Sequence, residues 1–240
     1  MRNLFLFALL IVLLLVVQFS AAKTVDEVIE KYIRARGGRD KLAAIKSICM
    51  EGIKATNGGN VNVKIIKEQD KLSRTEIENH VVVITADDAW TFFPVVSPEP
   101  KKIPTENLTG IQTEMDIAGP LLDYVAKGHK AELLGKEQLE GNTCYKIKLT
   151  TNAGKIMMFW IDTSTNLLLH SSALSIDQEQ SESLVFYSNY KAVEGMQFAH
   201  TLETNSNKKL NDEHGRAIVF HTIQINPVIY PSMYQPNIQS

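Results

Sequence analysis

The chain has 240 residues, 44% of them hydrophobic, and 27 acidic side chains against 25 basic ones. That is enough apolar material for a real core, and no long run of like charge offers the footprint that nucleic acid or polybasic lipid binding needs. Two cysteines, Cys49 and Cys144, are too few for a disulfide scaffold, and whether they pair is left open by their positions in strand-like segments. The first 22 residues read as an export signal. Arg2 supplies the positive charge, Leu4 to Val17 is an unbroken apolar run, and Ser20-Ala21-Ala22 places small residues before a cleavage point after Ala22. The competing reading is an uncleaved anchor, for which the run is short. Loss of Arg2 leaves 24 basic against 27 acidic side chains, and the mature chain, 23–240, is expected to form a single domain.

A helix opens the mature chain. Thr24 and Glu27 have the spacing of a capping box, and Val25, Val28, Ile29, Tyr32 and Ile33 recur along one side. Gly37-Gly38 ends it, and a second short helix is expected at about 40–47. The periodicity then changes to two, with strands predicted at 48–55, 60–68, 71–78, 80–86 and 89–94. Pro94, Pro98, Pro100 and Pro104 interrupt regular structure, and residues 105–128 read as short helices broken at Gly119-Pro120. Strands resume at 130–138, 143–150, 155–161, 167–176, 182–193, 196–204 and 216–225, several joined by turns such as Glu140-Gly141 and Glu194-Gly195. Helices do not alternate with these strands, so the expected sheet is antiparallel and meandering.

Some strands alternate cleanly: Tyr145, Ile147 and Leu149 oppose Cys144, Lys146 and Lys148. Others are apolar on both faces, among them Val81-Val82-Val83-Ile84, Ile156 to Trp160 and Leu184 to Tyr187. A half-wet antiparallel sheet does not need that, so something must cover its second face. The N-terminal helix and the 105–128 insertion are the two available covers. The insertion carries Leu108, Ile111, Met115, Leu122 and Val125 between prolines and glycines. It reads either as a lid on breakable tethers or as a permanently packed segment.

Signatures of catalysis are missing. The chain lacks G-x-S-x-G, H-E-x-x-H, a P-loop, G-x-G-x-x-G and C-x-x-C. His200 and His221 each fall in phase with apolar neighbours, but no further ligands are signalled, so core or cavity histidines are the simpler reading. Asp87-Asp88 reads as a turn, and Glu76 with Glu78 near Arg74 reads as a solvated edge. The expectation is a protein that is not an enzyme and needs no cofactor and no metal.

With these residues placed, the chain resembles the LolA-like lipoprotein carrier family. The likeness runs through Ala35-Arg36-Gly37-Gly38-Arg39-Asp40-Lys41-Leu42 and Ile45-Lys46-Ser47-Ile48, then Asp70 to Arg74. It continues in Ala86-Asp87-Asp88-Ala89-Trp90-Thr91-Phe92-Phe93-Pro94, in Gly119 to Tyr124, in Gly128-His129-Lys130 and in Ile225-Asn226-Pro227. Asp87-Asp88 departs from the family hairpin, where glycine is usual. The resemblance implies a mainly β fold with a few helices: an incomplete antiparallel β-barrel, or half-barrel, closed by an N-terminal helix and a helical lid insertion. It also implies a periplasmic chaperone that carries the acyl chains of lipoproteins or lipid from an inner-membrane donor toward an outer-membrane acceptor. The alternative on the same fold is a sensor or protein-interaction domain without transported lipid. On the carrier reading, Ile65, Val83, Trp90, Phe92, Met157, Phe159, Phe186 and Phe198 would line the apolar concave face, beneath a lid of Leu108, Ile111, Met115, Leu122 and Val125.

Overall fold

The structure is a computed structural model that describes residues 23–56, 58–104, 112–174, 182–205 and 217–237. Residues 1–22, read above as an export signal, and Leu108 and Ile111 of the insertion lie outside the described residues. Among the described residues, thirteen strands form one antiparallel sheet. In chain order they are β1 (Ser47–Thr56), β2 (Gly59–Glu68), β3 (Leu72–Ile77), β4 (His80–Thr85), β5 (Ala89–Phe92), β6 (Lys101–Lys102), β7 (Lys130–Leu139), β8 (Asn142–Thr150), β9 (Ile156–Asp162), β10 (Leu168–Leu174), β11 (Glu182–Val193), β12 (Met196–Asn205) and β13 (Ala217–Ile225). All twelve predicted strands are present within a few residues, and β6 adds a short edge pair.

The sheet is two meanders joined at their outer ends. Its order is β6-β5-β4-β3-β2-β1-β13-β12-β11-β10-β9-β8-β7, so the first and last strands meet in the middle. Ile48 pairs with Ile225, and Asn226 folds back to accept from the backbone N–H of Lys46 at 2.6 Å. The edges, β6 and β7, stay unpaired with each other, and the chain between them must pass from one edge to the other. A bulge lies where Glu51 pairs with Thr222 and Gly52 pairs with Phe220, leaving His221 without a partner on β1. A Cβ on Gly52 would collide with the Val219 carbonyl, so this close crossing of strands requires glycine.

Two α-helices occur among the described residues, α1 (Val25–Ala35) and α2 (Arg39–Ala43). The predicted capping box is formed: Thr24 Oγ1 accepts from the Glu27 N–H at 3.2 Å, and Glu27 reaches back to the Thr24 N–H. Gly37 ends α1 at φ 122, where a Cβ would come within 2.9 Å of the Gly195 carbonyl oxygen. The helix buries Val28, Ile29, Tyr32 and Ile33 against the sheet. The second helix stops at Ala43, four residues before the predicted end.

Two expectations are corrected and one open question is settled. The described part of the insertion is not helical beyond a 3-10 turn at Gln112–Met115, and residues 120–128 form turns. Pro120 cannot donate, and Asp123 at φ 53 and Gly128 at φ 73 break any continuing helix. Arg74 and Glu76 form no solvated edge, because Arg74 is fully buried. Cys49 and Cys144 are free and buried, on strands six positions apart in the sheet, well beyond disulfide reach.

Candidate functional site

Strand registers assign each side chain to a face. The face that carries α1 includes Ile48 and Met50 of β1, Ile65 of β2, Tyr145, Ile147 and Leu149 of β8, Met157, Phe159 and Ile161 of β9, Tyr187 of β11, and Met196 and Phe198 of β12. Most are fully buried, and together they make one continuous apolar surface from β8 to β1. The segment between β6 and β7 crosses this inner face. Met115 packs on Ile84 and Ala89 near one edge, while Ala118, Leu121 and Leu122 pack with α1 and the β8–β9 residues.

Side-chain contacts tie the described part of this crossing segment to the rest of the fold, among them Lys67 with Glu114 at 3.9 Å. Arg36 Nη1 donates to the Ala118 carbonyl at 2.7 Å, the Ile117 N–H donates to Gln69 Oε1 at 3.0 Å, and Lys127 Nζ bonds Asp116 at 2.6 Å within the segment. Tyr124 Oη donates to Asp26 at 2.6 Å, and that bond holds the phenol up to about 12. Arg39 forms an ion pair with Asp123 and another with Glu30 at 3.3 Å. Between α1 and residues 121–126 lies an open cleft of about 680 Å³, with Ile29, Ile33 and Leu121 at its floor and exposed Val125 on its wall.

The eight residues expected on one apolar face divide evenly between two. Ile65, Met157, Phe159 and Phe198 lie on the inner face. Val83, Trp90 and Phe92 lie on the opposite face, where Val83 pairs with Arg74 and Trp90, and Val81 with Phe92. There the C-terminal segment covers Val83: Ile229, Met233 and Tyr234 pack with Cys49, Ile66, Leu72, Val81 and Val83, and Phe92 joins the same cluster, while Lys102 lies over the Trp90 ring. Phe186 is also on the outer face, its ring 4.3 Å from that of His170. Of the expected lid residues, Met115 and Leu122 are buried against the core, whereas Val125 is 69% exposed and points away from it.

Sequence reasoning left out of the site Tyr145, Ile147 and Leu149, although the clean alternation of β8 signals a dry face. It also left out Tyr32, Arg36 and Tyr187, for which periodicity gives no functional signal. His200 is buried on the inner face with Nδ1 3.1 Å from the Phe198 carbonyl, and His221 is exposed and bonds Thr222. The bulge at His221 breaks the phase that linked it to Val219. Among the described residues, no cluster of three or more His, Cys, Asp or Glu is arranged to hold a metal, and no helix is long and apolar enough to cross a membrane.

No family model and no curated protein matches the chain. Solved structures do. A DUF1329 family protein from Desulfovibrio piger superposes with a TM-score of 0.60 at 14% identity, covering 89% of this chain and 98% of that one. A LolA superfamily protein from Nitrosomonas europaea gives 0.55 at 16% identity, over 87% of this chain and 96% of its own. An outer membrane lipoprotein-sorting protein domain from Vibrio parahaemolyticus gives 0.53 at 14% identity, over 87% and 94%. At these identities the likeness establishes the fold.

Proposed function

We propose that this chain, which has the LolA-like fold, is a periplasmic carrier. It holds the acyl chains of lipoproteins or lipids on the inner face of its sheet, beneath α1 and the crossing segment, and delivers them toward the outer membrane. The observation that carries this reading is the continuous apolar inner face, roofed by a segment whose described part has little regular structure. The open sheet acts as a half-barrel and residues 105–128 as its lid. The apolar run before Ala22 supplies export. A donor in the inner membrane and an acceptor in the outer membrane complete the route.

The work is partition rather than catalysis. Each buried methylene is worth about 0.8 kcal/mol, in a pocket as in a membrane. A carrier therefore passes cargo on only when the two sites nearly match, and opening a weakly tied lid tunes that match. A second reading has its own support: Phe159 and Phe198 are buried by the protein's own side chains, as in a sensor or interaction domain whose groove is permanently filled.

Dye displacement separates the two. Phe159→Glu and Phe198→Glu should each weaken binding of a fluorescent fatty acid by about tenfold or more, a cost of roughly 1.4 kcal/mol. Phe92→Glu, on the outer face, should leave binding unchanged. Equal affinity in all three folded variants removes the inner face from the site. Absence of binding to the wild type favours the filled-groove reading.

A further inference from the structure

Arg36 follows α1 and sits half-buried beneath the crossing segment. Its guanidinium carbon lies 5.7 Å from the Tyr32 ring centroid and 5.8 Å from that of Phe198, and both rings are buried. Its hydrogen bonds go to neutral oxygens: the Ala118 carbonyl at 2.7 Å and Tyr32 Oη at 3.4 Å. Among the described residues, no carboxylate forms an ion pair with it. The contrast with its neighbours is direct, since Arg39 pairs with Glu30 and Asp123, and Arg74 with Glu76.

The groups around this guanidinium are hydroxyls. Tyr187 Oη is 2.9 Å from Ser171 Oγ on the inner face, and the Arg36 charge acts on both Tyr187 and Tyr190. Burial pushes the Tyr187 phenol up to about 12, so it stays a protonated donor at any physiological pH. Glu114, an exposed side chain 3.9 Å from Lys67, acts on Tyr187 by its charge. A cation left with neutral acceptors in apolar surroundings is far from its best partner. A carboxylate or phosphate would engage its planar fork through two charge-assisted bonds.

We propose that Arg36 is the headgroup site of the apolar space, and that the amphiphile it takes carries a single anionic group, a carboxylate or a phosphate. The inference rests on the carrier reading and narrows it. The acyl chain lies along Phe198 and Phe159, and the anion binds Arg36 in place of the Ala118 carbonyl, with the Tyr32 and Tyr187 hydroxyls beside it. A neutral lipid ester presents acceptor oxygens but no charge, and gains only an ordinary hydrogen bond there.

The test is displacement of an apolar dye from the mature protein by oleate, by oleoyl lysophosphatidylglycerol and by methyl oleate. At least one anion should bind roughly tenfold tighter than methyl oleate, and which of the two does so separates a fatty acid from a phospholipid source. Arg36→Gln should erase that difference by weakening the anion alone, and Arg36→Lys should restore part of it. Persistence of the preference in folded Arg36→Gln overturns the inference. So does wild-type affinity for methyl oleate equal to that for both anions, an outcome that leaves the carrier reading standing. Absence of binding by all three lipids overturns both. Should Arg36→Gln fail to fold, the wild-type comparison of both anions with methyl oleate decides alone.

Discussion

Arg74 is 0% exposed on the outer face of β3, and its charge is met by Glu76 at 2.5 Å and by carbonyls of the C-terminal segment. Gln235 accepts at 2.6 Å and Asn237 at 2.5 Å, while Tyr234 Oη donates to Glu68 at 2.5 Å. One guanidinium thus clamps residues 233–237 over the N-terminal half of the sheet. Arg74→Met should cost about 3–5 kcal/mol in urea unfolding, because it leaves Glu76 and the Met233, Gln235 and Asn237 carbonyls short of a donor. Arg74→Met with Glu76→Met should recover part of that loss. His170 gives a pH prediction. It is 3% exposed between Trp160 and Phe186, and burial holds its pKa below the usual imidazole value, partly offset by Glu140 at 3.8 Å. The unfolded chain then binds the proton more readily than the folded one, so stability is full above the unfolded pKa of about 6.5 and falls as pH drops below it. His129, also lowered by burial, acts in the same sense. Tm should decline between about pH 6.5 and 5, and His170→Gln should flatten the decline.

At the level of elements, the two-faced strands are explained by two different covers. In β4, Val82 and Ile84 face the inner side, where Ile84 meets Met115, while Val81 and Val83 face the C-terminal segment. The crossing segment is the weaker cover, since it lacks regular strand or helix pairing over 116–128. Segments of this kind open well below the global unfolding free energy. Amide hydrogen exchange should therefore show 113–128 exchanging faster than 142–162, with the difference reduced when oleate is bound. Equal protection in both, indifferent to lipid, marks a permanent cover and excludes a lid.

For the whole molecule, the join of β1 to β13 sets the folding problem. Ile48 and Ile225 are adjacent in the middle of the sheet but stand near opposite ends of the described residues. The two meanders can form locally, whereas their union must close a loop of nearly the full length. Folding should be slow for the size, on the scale of a second or longer. Stopped-flow fluorescence of Trp90, in one meander, and Trp160, in the other, measures it. Replacing each tryptophan in turn should leave a local phase and a shared slow phase.

Strand positions, the capping box of α1 and the hairpin turns were determined by the sequence alone, because period-two hydrophobicity, Thr24 with Glu27 and paired turn residues act within a few residues of one another. The resemblance carried by short motifs led correctly to the fold. The faces did not follow. A strand apolar on both sides contains no internal evidence of which side meets which cover, and a single slip of parity moves Val83, Trp90 and Phe92 to the other face. The outer cover came from residues 229–237, a short segment whose apolar side chains show no period until Arg74 anchors them. The pairing of β1 with β13, the bulge at His221 and the isolation of Arg36 among neutral oxygens are likewise products of distant chain meeting chain. Only the tertiary structure decided them.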